Sequence, residues 1–311
     1  MVHFSIVIVT YGRTRELSEL LKSIINQTSI DELEEVVVVD NHPKGIGQEV
    51  VRQNLNNLNI TYVKNDVNSL TSGRLKGSKF LTSEILLFLD DDVTLDTNYF
   101  KEMIDFYMSY PNANGMQGMF NVGNYSKIKN GFNKLFWLFN YTSDEYKVYP
   151  SIQASYSGTA NKIIECEWFS GTNFSYKSKI IKEIDFDLNL FKYCEGEDID
   201  YSYRVYKKFG KLYMNPACKV IHHASFISRE IGKEFIIMQE VYGVYLLKKL
   251  FPKCASCTLK YIASRFGKLL ILCIEIARFR PYSLKNIVNY LSAIKRSIFD
   301  GDINKFNQEI K

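Results

Sequence analysis

"EILLFLDDDVTLD", Glu84 to Asp96, places five apolar residues between one carboxylate and a run of three, Asp90, Asp91 and Asp92. An uninterrupted apolar run of this length, framed by polar residues, reads as a strand buried on both faces, as in a parallel sheet covered by helices on both sides. Three adjacent carboxylates at its end repel one another and raise one another's pKa. Whatever sits at that strand end must make them tolerable.

The residues upstream share this grammar. "HFSIVIVT" (3–10) is a β-rich run, and "EEVVVVDN" (34–41) is a second buried strand. Between them, "RTRELSELLKSIINQ" (13–27) puts Leu17, Leu20, Leu21, Ile24 and Ile25 on one helical stripe. A helix near 46–56, a strand in "NITYVKN" and a helix near 70–82 continue the alternation; after the 85–90 strand comes a helix that Asp96 would cap and Pro111 would end. In such sheets ligands bind at the carboxyl ends of the strands. The residues found there are Thr10, Tyr11 and Arg13, then Asp40 and Asn41, then Asp90 to Asp92, and all should converge on one crevice.

From 112 to 225 the pattern is less regular, with aromatic and Gly/Asn-rich stretches, the helix "GEDIDYSYRVYKKFG" and short strands ending at "KVIHH". Its 3.6-residue period predicts Ile199, Tyr203 and Tyr206 as the buried face of that helix. From Arg229 onward the chain reads as three helices, near 229–250, 256–278 and 283–299, broken by Pro252 and Pro281.

With 311 residues, 46% hydrophobic and 23% charged, the chain is an ordinary globular one, which excludes the disordered and fibrous classes. The net charge of +5 is uneven: Phe226 to Lys311 carries 15 Lys/Arg against 7 Asp/Glu, and the first 225 residues carry 24 against 27. A basic tail on a mildly acidic body points to an anionic partner surface. Its longest uncharged apolar run, Leu269 to Ile274, is far short of the ~20 residues needed to cross a bilayer. The tail helices could lie on anionic lipid, pack on the rest of the chain or form a homodimer. The apolar N-terminus reads as a first strand rather than a signal peptide, so residence in the cytoplasm is expected. Of six scattered cysteines only Cys254 and Cys257 form a CxxC, with no second pair to complete a zinc site, and reduced thiols are expected.

Three carboxylates become reasonable if a divalent cation and a diphosphate arrive together, with Asp90 and Asp92 as hard oxygen ligands. The bland alternative is that they cap the following turn. A second acidic group, Glu197 and Asp198, opens a helix, where the macrodipole tolerates anions. Asp198 at the helix mouth, beside a strand end, is also the natural place for a general base. His222 or His223, ending an apolar strand, could add an imidazole ligand, and Mn²⁺ best accepts a mixed carboxylate and imidazole set.

"FSIVIVTYGR", "VVVVDN", "SGRLKGS", "ILLFLDDDV", "WFSGTNFSYKS", "GEDIDYSYRVYKKFGKLYMNP" and "VIHH", in this order, resemble glycosyltransferase family 2, the inverting enzymes of GT-A fold. The resemblance covers about residues 3–225. It implies an α/β fold with a mainly parallel central sheet flanked by helices, split into a nucleotide half (1–110) and an acceptor half (111–225), with residues 226–311 as a helical appendage. It further implies that Thr10, Tyr11, Arg13, Asp40, Arg74, Asp90 and Asp91 hold the nucleotide sugar. Asp90, Asp92 and His222 would hold Mn²⁺ or Mg²⁺, and Asp198 would be the base. Trp168, Gly171, Thr172, Asn173 and Glu197 would line the acceptor side. A UDP-sugar is the first expectation, with dTDP- and GDP-sugars as alternatives. The acceptor would be a lipid-linked glycan of a bacterial surface polysaccharide such as O-antigen or capsule, met at the cytoplasmic face of the inner membrane, with no nucleic acid involved.

Departures from the family pattern are specific. "HPKG" follows Asp40-Asn41 where a Ser/Asp/Thr-rich turn is common, Leu75 replaces an Asn after Arg74, and the Q-x-x-R-W segment of processive synthases is missing. Transfer of one sugar, or a few, is therefore expected. Two rival readings remain. "ILLFLDDDVT" also fits a haloacid-dehalogenase-type phosphatase, with Asp90 as nucleophile and Asp92 as acid, although that motif would normally open its domain. The chain could also be a catalytically silent binder of nucleotide sugar or nucleic acid.

Overall fold

The structure, a computed structural model, describes residues 2–120, 126–142, 145–223, 232–277, 283–299 and 301–310. The chain divides into two compact units, Met1–Gly123 with Gly158–Arg229, and Asn124–Ser157 with Glu230–Lys311.

The first unit begins β1 (Phe4–Thr10), α1 (Thr14–Ile25), β2 (Leu33–Asp40), α2 (Gly47–Asn54), β3 (Ile60–Lys64), α3 (Leu70–Ser78) and β4 (Ile85–Asp90). It continues through β5 (Val93–Leu95), α4 (Tyr99–Ser109) and β6 (Gly115–Phe120). The second unit contributes α5 (Lys127–Leu135), β7 (Asn140–Tyr141), β8 (Val148–Tyr149) and β9 (Gln153–Tyr156). The chain then returns to the first unit for β10 (Ile164–Cys166), β11 (Asn173–Lys177), α6 (Ser178–Glu183), α7 (Glu197–Phe209) and β12 (Leu212–His222). It ends in the second with α8 (Lys233–Leu250), α9 (Ala255–Ala277), α10 (Ser283–Phe299) and α11 (Ile303–Ile310).

The nine strands of the first unit form one sheet in the order β10-β12-β6-β11-β4-β1-β2-β3, with β5 alongside β12. β1 is buried along its whole length and pairs in parallel with β2 and β4, in the α/β arrangement that the apolar runs predict. Beyond β4 the sheet is mixed, because β11 runs antiparallel to both β4 and β6. Register sets the site: Thr10 lies opposite Asp40, and Val9 opposite Asp90, so all three strand ends finish at one edge.

Helix α3 reaches that edge because of two glycines four residues apart. A Cβ on Gly73 would lie 2.7 Å from Val9 Cγ1, and one on Gly77 would lie 2.6 Å from Val7 Cγ1, so only glycine lets α3 lie this close to β1. Two expectations need adjusting. The N-cap of α4 is Asn98, while Asp96 accepts from the Asn98 amide in the turn before it. The buried residues of α7 are Glu197, Ile199, Asp200, Tyr201, Ser202 and Val205 rather than Ile199, Tyr203 and Tyr206. The short polar Ser202 fits against the core by donating to the Asp198 carbonyl, which hydropathy does not register.

In the second unit the three-stranded sheet β7-β9-β8 packs with the C-terminal helices. Arg265 on α9 donates to the Ser151 carbonyl at 2.7 Å, and Gly267 leaves room for Phe136, whose ring a Cβ would meet at 2.4 Å. Segment 124–157 thus belongs with these helices by contact, although sequence order places it within the 111–225 half. Helix α11 falls outside the three helices expected; its eight residues bury Ile303, Phe306 and Ile310, and Tyr242 donates to Asn307 Oδ1 at 2.7 Å. Cys254 and Cys257 are joined as a disulfide, against the expectation of reduced thiols, because the first turn of α9 brings their Cα atoms to 5.2 Å. Among the described residues no helix is long and apolar enough to cross a membrane.

Candidate active site

The three aspartates that close β4 point in different directions and meet different partners. Asp91 turns inward, accepting from Thr10 Oγ1 at 2.7 Å and from Arg13 Nη1 at 2.8 Å. Asp92 lies 3.1 Å from the same Arg13 nitrogen and 3.3 Å from His222 Nε2. Asp90 is the most open of the three and pairs with Arg74 at 3.1 Å. The first-strand residues and the triple aspartate, brought together by sheet register, therefore share one network. Tyr11 stands at the same rim, its ring edge-on to His42.

Arg74 connects this network to the opening of α7. It is 2% exposed and donates to Glu197, to Asp90 and, at 2.8 Å, to the Gly171 carbonyl. Gly171 is held from its other side as well, since its amide donates to Asp198 Oδ2 at 3.2 Å. The second oxygen of Asp198 accepts from the Ile199 amide at 2.8 Å, a helix-mouth geometry set up by Gly196, which has φ of +80° just before α7. A Cβ at Gly171 would come within 3.2 Å of Glu197 Oε1 and 3.3 Å of Arg74 Nη2.

Several expected residues serve as framework. Asp40 is wholly buried and accepts from the His42 and Gly47 amides and from Tyr62. Asn41, just after β2, donates to the Ser69 carbonyl and accepts from Asn65, so its amide braces the connection between β3 and α3. Asn173 lies inside the sheet, accepting from the Gly118 amide and Tyr99 and donating to Thr172. Trp168 is 4% exposed, and the carbonyl of Thr172 accepts from the Asp90 amide. His223 bonds Thr94 at 2.7 Å, which leaves His222 as the imidazole beside Asp92.

Sequence reasoning missed two supports. Gln117, fully buried on β6, exchanges hydrogen bonds with the Ser170 backbone and fixes the loop that carries Gly171. Asn65 follows β3 and would have been found had the strand-end rule been applied there too. Gln117 carries no such signal, because it lies mid-strand and only the fold brings it to residue 170.

The electrostatics follow from burial. Asp90, Asp91, Asp92, Glu197 and Asp198 gather around two permanent cations, Arg13 and Arg74. Burial pushes the carboxyls of Asp91 and Glu197 each up to about 7, against the pull of Arg13 and of Arg74 respectively. Burial also raises Asp198, opposed by the amides of Ile199 and Gly171. Such an excess of carboxylate is what a bound cation offsets. One ligand atom each from Asp90, Asp92 and His222 lies within 4.8 Å of the others, and the two-oxygen, one-nitrogen donor set fits Mn²⁺ or Mg²⁺.

Residues 5–184 match the sequence profile of glycosyl transferase family 2. The chain belongs to that family. Its α/β sheet with flanking helices is the GT-A fold, and it is a glycosyltransferase. A family relative, the glucosyl-dolichyl phosphate glucuronosyltransferase of Haloferax volcanii, is 22% identical over 230 residues, covering 70% of this chain and 68% of the relative. Among solved structures, S. aureus TarS 1-349 in complex with UDP-GlcNAc is 16% identical with a TM-score of 0.52, covering 95% of this chain and 91% of that one. The mannosyltransferase PcManGT of Pyrobaculum calidifontis, in complex with GDP-Man and Mn²⁺, is 13% identical with a TM-score of 0.55, covering 96% and 87%. Family membership also disposes of the phosphatase reading of the triple aspartate.

Proposed function

We propose that this glycosyltransferase inverts the anomeric centre as it moves one sugar from a nucleotide diphosphate to a hydroxyl of a lipid-linked glycan, with Asp198 as base. The observation that carries the reading is the convergence of Asp90, Asp92 and His222 within 4.8 Å of one another at the strand edge where the Arg74 network also brings Asp198. Thr10, Tyr11, Arg13 and Asp40 frame the nucleoside and diphosphate end, with Asp91 anchoring Arg13 from beneath. Asp90, Asp92 and His222 are the residues that would hold a divalent cation, which when bound supplies positive charge against the departing diphosphate.

Asp198 takes the proton of the acceptor hydroxyl as that oxygen attacks the anomeric carbon, and its raised pKa makes it a stronger base than an exposed aspartate. The Gly171 amide keeps the carboxylate oriented. Arg74, too buried to reach a diphosphate freely, positions Asp90 and Glu197. The Trp168–Asn173 loop and Glu197 form the acceptor side.

A UDP-sugar is the first donor to test, with GDP- and dTDP-sugars next; the TarS complex supports a UDP-sugar, and the PcManGT complex supports a GDP-sugar and Mn²⁺. The dolichyl phosphate named for the Haloferax relative supports a lipid-linked acceptor; our reading is that it serves bacterial O-antigen or capsule assembly at the cytoplasmic membrane face. Thermal shift against a panel of nucleotide sugars, with and without Mn²⁺, tests the donor side. Stabilisation by one nucleotide class that needs Mn²⁺ is expected; no response to any nucleotide sugar would overturn the proposal.

A further inference from the structure

The helices of the second unit line a half-open cavity of about 820 Å³ that shares no residue with the candidate active site. Its volume lies in the range of sites that bury small ligands, roughly 300–1,000 Å³. Leu247, Tyr261 and the buried Glu240–Arg265 ion pair are among its lining residues. Val244 and Ile294 belong to its walls.

Two features identify what would enter. Ile262 on α9 and Ile298 on α10 line the cavity while remaining 58% and 66% exposed. Each belongs to an exposed apolar stripe at helical spacing, Leu259, Ile262 and Phe266 on one helix and Val288, Leu291 and Ile298 on the other. Apolar surface thus runs from solvent into the interior. The rim also carries Lys248 and Lys253, neither of which has an ion-pair partner among the described residues. An apolar interior with unpaired ammonium groups at its edge complements a molecule with a hydrocarbon tail and an anionic head.

We infer that this cavity binds one hydrocarbon chain of a phosphate-bearing lipid, with the phosphate held by Lys248 and Lys253. The inference rests on reading these helices as a membrane-surface element, and it adds a defined chain site to what would otherwise be adhesion by charge and stripe. It does not depend on glycosyl transfer, so it can be tested without a nucleotide sugar.

The test is calorimetric titration of the full chain with dodecyl phosphate below its micelle concentration, alongside octyl phosphate, inorganic phosphate and dodecyl maltoside. One-site binding of dodecyl phosphate is expected. Octyl phosphate should bind at least ~10-fold more weakly, with ~200-fold the ceiling set by four methylenes at ~0.8 kcal/mol each. Inorganic phosphate should show no binding in the same range, and dodecyl maltoside, with the chain but no charge, should bind more weakly than the phosphate.

Val244→Trp, which fills the cavity, should weaken dodecyl phosphate ~10-fold or more, and Lys248→Glu with Lys253→Glu should remove the preference over the maltoside. If Val244→Trp fails to fold, Ile298→Asp at the exposed mouth serves the same purpose. Equal affinity for octyl and dodecyl phosphate would overturn the inference, as would undiminished binding by the cavity variants. Flotation with anionic vesicles separates the two levels: flotation without chain-length-dependent binding keeps the surface reading and overturns the cavity.

Discussion

Arg74→Met puts the electrostatic account of the site under direct strain. The guanidinium is buried and holds Glu197, Asp90 and the Gly171 carbonyl, so methionine keeps much of the volume and removes the charge. Removing one partner of a buried pair costs about 3–5 kcal/mol when the other stays charged. Glu197 escapes that cost by binding a proton, and its carboxyl already sits at about 7 in the folded chain. A folded pKa above the unfolded one means the folded state binds more protons, so stability falls as pH rises through that window. The substitution should therefore cost ~3–5 kcal/mol near pH 8 and only ~1–2 kcal/mol near pH 5, where lost hydrogen bonds remain but Glu197 is neutral. Urea unfolding followed by circular dichroism at both pH values measures the difference, and Arg74→Met with Glu197→Gln should recover ~2 kcal/mol near pH 8. A loss under ~1 kcal/mol near pH 8, or one equal at both pH values, would show that Glu197 is not left as a buried charge.

Further outcomes follow from the same contacts. Asp198→Asn should lower the transfer rate ~10²- to 10⁴-fold with donor binding retained, read by single-turnover transfer and calorimetry; near-normal transfer would remove Asp198 as base. Activity of the unaltered enzyme should rise with pH through the raised pKa of Asp198, since the base works deprotonated, and Asp198→Glu should keep that rising limb at reduced rate. Gly171→Ala must push Arg74 and Glu197 apart by a few tenths of an ångström, so it should lower kcat by ~10-fold or more while leaving the melting temperature nearly unchanged. His222→Ala should abolish stabilisation by Mn²⁺, worth ~2.7 kcal/mol at a hundred times Kd, whereas His223→Ala, which loses only Thr94, should retain it.

Much of the first unit was legible because its signals are local. Apolar runs such as "VVVVD" and "ILLFLD" encode buried parallel strands, and the strand-end rule collected Thr10, Arg13, Asp40 and Asp90 to Asp92 before any geometry was known. What stayed hidden depends on long-range packing. Nothing near Arg74 in sequence shows that it is buried between Glu197 and Asp90, the contacts on which its proposed positioning role rests. Nothing near Gln117 announces its hold on Ser170. Helical periodicity misplaced the buried face of α7 because Ser202 is buried by a backbone hydrogen bond rather than by hydropathy. The segment 124–157, aromatic and irregular, gave no local cue that it packs with helices more than a hundred residues later.

Asp90, Asp92 and His222 are proposed to hold the cation that meets the donor diphosphate. Crystals grown with Mn²⁺ and UDP, and measured for anomalous scattering from manganese, test it most directly. One strong peak within coordination distance of all three side chains and of the diphosphate oxygens is expected. A peak elsewhere, or ordered UDP with no manganese beside Asp92, would contradict it.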